Sequence, residues 1–216
     1  SSVLVSARIA EAAVIGAVIQ IQNKPPVQPS AMAGRVDLKN ELDGLVDGFG
    51  RKLLSRLNDK VPGKLLEGDA DITTVIYRDR YLNSPLPVAL LLDFIGAFKE
   101  MHQSRWDNPT IELVSVAVPE DVRNFAPPSQ VFHNWQSTTS RDKAIQASFD
   151  QRGMGAVVRN LPKHLASHAR TLEVGTSDGR KLKLWLDQGF GYWSSPRQGS
   201  RAAQTTSTWF DFNAQS

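Results

Sequence analysis

The sequence contains no cysteine. A disulfide framework, thiolate zinc ligation and a cysteine nucleophile are all excluded, and a reducing compartment, the cytoplasm, is the expected setting. Long apolar runs are missing as well. The densest stretch, Ala12–Ile21, falls far short of the roughly 20 residues of a membrane span, and no basic segment precedes it as in a secretory signal. Walker A and G-x-G-x-x-G motifs are absent, and G-x-S-x-G occurs only at Gly175–Gly179, in a predicted hairpin turn rather than a strand-to-helix elbow, so neither nucleotide hydrolysis nor serine-hydrolase chemistry is expected. Beyond the pair His164 and His168, no further histidine or carboxylate stands at ligand spacing, and His102 and His133 are far off in sequence, so no metal or cofactor is expected.

What is present is ordinary globular composition. The 41% hydrophobic and 22% charged content over 216 residues suffices for one domain with a full core and an appendage. A net charge of +3 is compatible with nucleic acid or an anionic membrane surface and compels neither. The first residues are Ser-Ser with no initiator Met, which reads as a piece of something larger.

Residues 1–24 place Val3, Ala7, Ala10, Val14, Ala17 and Ile21 at helical spacing, predicting an N-terminal apolar helix. Residues 25–35 form a proline-rich linker, and residues 36–216 the main domain. Within it the leucine-charge alternation from Arg35 to Val61 predicts a helix, broken near Gly48–Gly50. The β-branched run Ile72–Tyr81 predicts a strand. Ser84 and Pro85 open a helix that buries Leu90, Leu91, Phe94, Ile95 and Phe98. The run Ile111–Val118 reads as a strand buried on both faces. Ser140 is the expected cap of a further helix, and "AVVRNL" a short strand. A hairpin turning at Asp178-Gly179 follows, and "TTSTWFDF" closes as an edge strand. Strands alternating with helices imply an α/β fold, a mixed β-sheet flanked by helices.

Four constellations bear on chemistry. Arg78, Asp79 and Arg80 sit at the carboxyl end of a predicted central strand, where ligands gather in open α/β sheets; alternation sends both arginines to one side and Asp79 to the other. They make either an ion-pair cluster or arginine donors for an anion. His168 and Arg170 would face the same way on a strand, an imidazole beside a fixed cation that suits a phosphodiester. The segment Leu184–Trp193 offers Asp187 after a strand, and aromatics that serve as core or as a stacking surface. Arg197 and Arg201 lie in a loop-like tail that reaches phosphates or solvent.

The combination "IYRDRYL", a proline-started apolar helix, and "HARTLEV…KLWLDQGFGYW…WFDF" resembles the phospholipase D-like domain at the C-terminus of MIT-domain proteins. Asp79, Tyr81 and Leu82 match its D-x-Y-[IL] element, and His168 and Arg170 its H-x-R. Gly189, Phe190, Tyr192 and Trp193 match its aromatic turn, and Phe210, Asp211 and Phe212 its closing element. The resemblance implies a phospholipase D-like α/β fold. Active enzymes of that kind carry two H-x-K-x4-D motifs; here Arg170 stands for the Lys, Gly175 for the Asp, and no second motif occurs. The site is therefore expected to bind rather than cut.

The leading expectation is a non-catalytic phosphodiester-binding module of a larger protein, with Arg78, Asp79, Arg80, His168, Arg170 and Asp187 as ligand-binding residues. Nucleic acid is favoured over anionic lipid, since no basic amphipathic helix is evident. The resemblance also implies C-terminal modules of bacterial anti-phage defence helicases, homodimerisation or docking to the rest of a larger chain. The competing readings are an active nuclease or phosphodiesterase using His168, and a lipid-binding or adaptor domain.

Overall fold

The computed structural model describes residues 32–37, 48–60, 66–118, 135, 137–186, 189–190 and 207–213, the first and last of these as backbone alone. The chain divides into two units between Ser30 and Ala31, and every described residue belongs to the second. The helix expected over 1–24 and most of the linker lie outside the described residues.

Among the described residues, seven strands and three α-helices follow one another: β1 (Met32–Asp37), α1 (Phe49–Lys60), β2 (Ile72–Arg78), α2 (Pro85–Met101), β3 (Thr110–Val116), α3 (Thr138–Asp150), β4 (Ala156–Leu161), β5 (Thr171–Thr176), β6 (Lys181–Leu186) and β7 (Ser207–Asn213). They form one mixed sheet in the order β1-β7-β6-β5-β2-β3-β4. The β2–β3 and β3–β4 pairs, each joined through a helix, are parallel, whereas β2–β5 and the pairs beyond it are antiparallel. This is the expected α/β class. β1 straddles the boundary expected at Val36. β7 lies between β6 and β1 rather than at the edge, because β1 closes that side.

One sheet face carries the core. Val75, Tyr77, Ile111, Leu113, Leu172, Val174, Leu182 and Leu184 alternate onto it and join one cluster with buried residues of all three helices, among them Leu54, Phe94 and Phe149. The other face holds ion pairs: Arg159–Glu112 at 2.7 Å, Arg78–Glu173 at 2.9 Å and Lys183–Glu173 at 2.7 Å. The expectation that β3 is buried on both faces holds over Leu113–Ser115, where successive residues are buried. It fails at Glu112, which is partly exposed and whose charge is matched by Arg159 across the sheet.

The glycines around residue 50 start α1 rather than break it. Gly48 sits at φ +63° ahead of the helix, and a Cβ on Gly50 would come within 2.2 Å of the Asp93 carbonyl oxygen. Only glycine lets α1 and α2 approach so closely there, and the Gly50 N–H donates to Asp93 Oδ2 at 2.7 Å. Ser84 and Pro85 open α2 as expected. The cap of α3 is Ser137 rather than Ser140: its side chain accepts from the Ser140 N–H.

Candidate functional site

The carboxyl ends of β2, β3 and β4 and the start of β5 lie at the same end of the sheet, as their parallel and antiparallel registers require. Here the ladder carries one residue past β2, where the Asp79 N–H donates to the Val114 carbonyl at 3.0 Å. The Asp79 side chain then ends the strand. Its Oδ1 accepts from the Tyr81 N–H at 2.8 Å, an Asx turn that bends the chain away. Its Oδ2 accepts from the Tyr77 hydroxyl at 2.9 Å, Tyr77 being on the same sheet face two residues earlier.

Asp79 is 1% exposed. Its charge is met by Arg170, whose Nε stands 3.5 Å from Oδ1. Burial pushes the Asp79 carboxyl above its ordinary value, against the pull of the Tyr81 N–H, the Tyr77 hydroxyl and Arg170. Burial, with the neighbouring Asp79 charge, pushes Tyr77 well above the ordinary phenol value. Gly189, at φ +63°, closes the cluster from the far side. A Cβ there would lie 2.6 Å from Arg170 Cδ, 3.0 Å from Asp79 Oδ2 and 3.1 Å from the Tyr77 oxygen.

The outer layer is exposed. Arg80 Nη1 lies 2.6 Å from His168 Nε2, and the Tyr81 hydroxyl 3.3 Å from His168 Nδ1. A guanidinium only donates, so Nε2 accepts, and the imidazole proton sits on Nδ1 facing the Tyr81 oxygen. In this arrangement the Nε2 lone pair needed by a nucleophile or base is occupied. The guanidinium carbons of Arg80 and Arg170 stand 5.2 and 4.8 Å from the Tyr81 ring centroid, within cation–π range.

The structure thus brings Asp79, Arg80, His168 and Arg170 together, and sets Arg78 apart. Arg78 and Arg80 do not share a side. Alternation stops at the Asx turn, leaving Arg78 on the ion-paired face with Glu173 and turning Arg80 to His168. Burial alone would raise Glu173, but the bonds from Lys183 and Arg78 hold its carboxyl below the usual range. His168 and Arg170 precede β5 instead of lying on it, and they diverge: His168 is exposed, while Arg170 points inward to Asp79. Asp187, Tyr192, Trp193, Arg197 and Arg201 lie outside the described residues. Phe190, weighed as a stacking surface, is 2% exposed and packs between Tyr77, Phe49 and Phe94.

Sequence reasoning placed Tyr81 and Gly189 in motifs of the resembled family but gave neither them nor Tyr77 a role in the site. Tyr77 had a signal, since a tyrosine two residues before an aspartate on a strand shares its face. No group of three or more histidine or acidic side chains fit to hold a metal occurs among the described residues. No described helix is long and apolar enough to cross a membrane.

A family model described as the C-terminal domain of the DEAD/DEAH box helicase YjiV matches residues 33–216. No curated protein matches the chain. Among solved structures, a mutant yeast tyrosyl-DNA phosphodiesterase is similar at 11% identity with a TM-score of 0.28, over 66% of this chain and 26% of that one. The chain spans about a quarter of that enzyme's length, and so slight a likeness says nothing about the site.

Proposed function

Because the chain belongs to the family of C-terminal domains of the DEAD/DEAH box helicase YjiV, we propose that it is a module of a larger helicase that holds the phosphodiester backbone of nucleic acid without cutting it. One observation carries this reading. Arg80 has no carboxylate partner among the described residues, and it lies half-buried beside the exposed His168 at the strand ends. Arg51, Arg56, Arg78, Arg141, Arg159, Arg170 and Arg180 each face an acid. Of the other described arginines without one, Arg105 is held by the Ala70 and Leu66 carbonyls and Arg152 lies beside Gly96 of α2, away from the strand ends. A phosphate is the ligand that completes an unneutralised guanidinium.

The same geometry argues against turnover. Arg80 occupies Nε2 of His168, and the inner carboxylate is buried against Arg170, out of line to orient the imidazole. The resemblance in motif order to phospholipase D-like domains supports a phosphodiester as the ligand. The setting we propose is the cytoplasm, in an anti-phage defence helicase, with docking to the rest of that chain or to a second copy.

Titrating a labelled oligonucleotide against salt tests the reading. Affinity falls as salt rises, and Arg80→Ala flattens the logarithmic slope by about one phosphate's worth. His168→Ala leaves that slope unchanged. Absent or salt-insensitive binding refutes the proposal in favour of a lipid or adaptor role. Cleavage that disappears in His168→Ala establishes the nuclease reading instead.

A further inference from the structure

The exposed large apolar side chains of the described part are few; one, Tyr81 at 44%, belongs to the anion site, and a second, Leu165 at 63%, lies in the loop that carries His168. The other two, Met101 and Val157, lie on α2 and on β4. An exposed leucine needs no explanation. Tyr81 differs because it is held. Its backbone N–H is fixed by Asp79, its hydroxyl meets His168, and its ring faces the guanidinium groups of Arg80 and Arg170. A rigid, half-open aromatic ring among cations is costly to expose and cheap to use, since little further ordering accompanies contact.

We propose that Tyr81 is a base-stacking residue and that the site takes unpaired nucleotides, single-stranded DNA or RNA, in preference to duplex. This rests on the phosphate reading of Arg80. A phosphate on the Arg80 guanidinium stands beside the half-exposed Tyr81 ring, on which a base can lie. A nucleotide supplies both groups at once, whereas a bare phosphate chain supplies one. Duplex bases are already stacked, and freeing them costs their stacking and pairing energy. Stacking on an aromatic side chain is sequence-tolerant, which agrees with a site that offers no rigid pattern of base-edge donors.

The test compares the 216-residue chain on three probes carrying equal numbers of phosphates: oligothymidine, an abasic single strand and a duplex. The parent is expected to favour oligothymidine over the abasic strand by about tenfold, and over the duplex. Tyr81→Leu abolishes the preference for bases while keeping the abasic-strand affinity and its salt slope. Tyr81→Phe, which keeps the ring, keeps the preference. Equal affinity for all three probes, or a Tyr81→Leu loss that is the same on the abasic strand and on oligothymidine, overturns the stacking role. Phosphate binding then survives if Arg80→Ala still flattens the salt slope. If no probe binds in a salt-dependent way, the phosphate reading falls first and this inference with it.

Discussion

Two glycines with positive φ provide a measurement of how tightly the site is packed. Gly179, in the β5–β6 turn, sits at φ +85° with nothing within 4 Å of where a Cβ would stand, while Gly189 sits at φ +63° against Arg170, Asp79 and Tyr77. Replacing either by Ala forces a left-handed backbone on a residue with a Cβ, at about 1–2 kcal/mol. At Gly179 that is the whole cost. At Gly189 the methyl meets Arg170 Cδ at 2.6 Å and two buried oxygens at 3.0 and 3.1 Å. Arg170 can give way, but only by leaving the Asp79 carboxylate. Overpacking of this kind adds about 1–3 kcal/mol. Gly189→Ala therefore loses about 2–5 kcal/mol in all. At roughly 2–4 °C per kcal/mol for a chain of this size, it melts at least about 2 °C below Gly179→Ala. Urea unfolding of the two variants reads the difference directly. Equal losses would refute the close packing of Gly189 on the Asp79–Arg170 pair.

Other perturbations follow from the same geometry. Arg170→Ala removes the cation from a carboxylate that retains two hydrogen bonds, so the cost falls at the low end of a broken buried pair, about 3 kcal/mol; Arg80→Ala, at the surface, stays within about 0.5 kcal/mol, and denaturation curves showing equal losses contradict the division into inner and outer arginines. Burial raises the Asp79 carboxyl above its ordinary 3.8, so above that value the folded chain keeps a proton that the unfolded chain has released, and the parent loses stability as pH rises through this window. Asp79→Asn has no proton to release, so its deficit relative to the parent narrows from 3.8 upward, and a widening deficit sinks the argument. Burial and the Arg105 charge lower His102 from 6.5 to about 4; its contribution is intact above 6.5 and is lost as pH falls toward 4. His102→Phe, whose ring can keep the stack on Phe98 at 4.5 Å, removes that part of the acid loss, and an unchanged acid limb of the stability profile speaks against it.

Much of the sheet was legible because its signals are local. The β-branched run at Ile72, the Ser84-Pro85 helix start and the Asp178-Gly179 turn each follow from neighbouring residues, and each stands where expected. What escaped depends on partners distant in sequence. β3 looks doubly buried from its apolar density, yet Glu112 is answered only by Arg159 from β4. β7 reads as an edge until β1 pairs with it. The site shows the same division. Position at a strand end marked Asp79 and Arg80, but strand alternation put Arg78 and Arg80 on one side, whereas the Asp79–Tyr81 turn cancels the alternation at that residue. Gly189 carried only a generic glycine signal, since what makes it specific is contact with Tyr77 and Asp79, far earlier in the chain, and with Arg170.

The pairing of Arg170 with Asp79 sets a limit on what the site can do alone. Those two charges cancel within the fold, and His168 as held by Arg80 contributes no positive charge. The field presented to an anion is then essentially that of one guanidinium, Arg80. One phosphate contact gives a shallow salt slope, near one on the logarithmic scale, where tight nucleic-acid binders make about six to ten such contacts. Adding one stacked base raises affinity by about tenfold, and still leaves an isolated domain that binds weakly. Weak binding is sufficient for a module tethered to a helicase, because a short tether presents it to the same strand at an effective concentration on the order of millimolar. On the proposed reading, the domain would contribute to where the strand lies, and the remainder of the chain to how firmly it is held. Joining the domain to its helicase should therefore raise strand affinity well beyond either part, and Arg80→Ala should remove that gain in the joined protein while leaving the affinity of the remainder untouched. A joined protein that binds no better than the remainder alone would deny the domain any part in holding the strand.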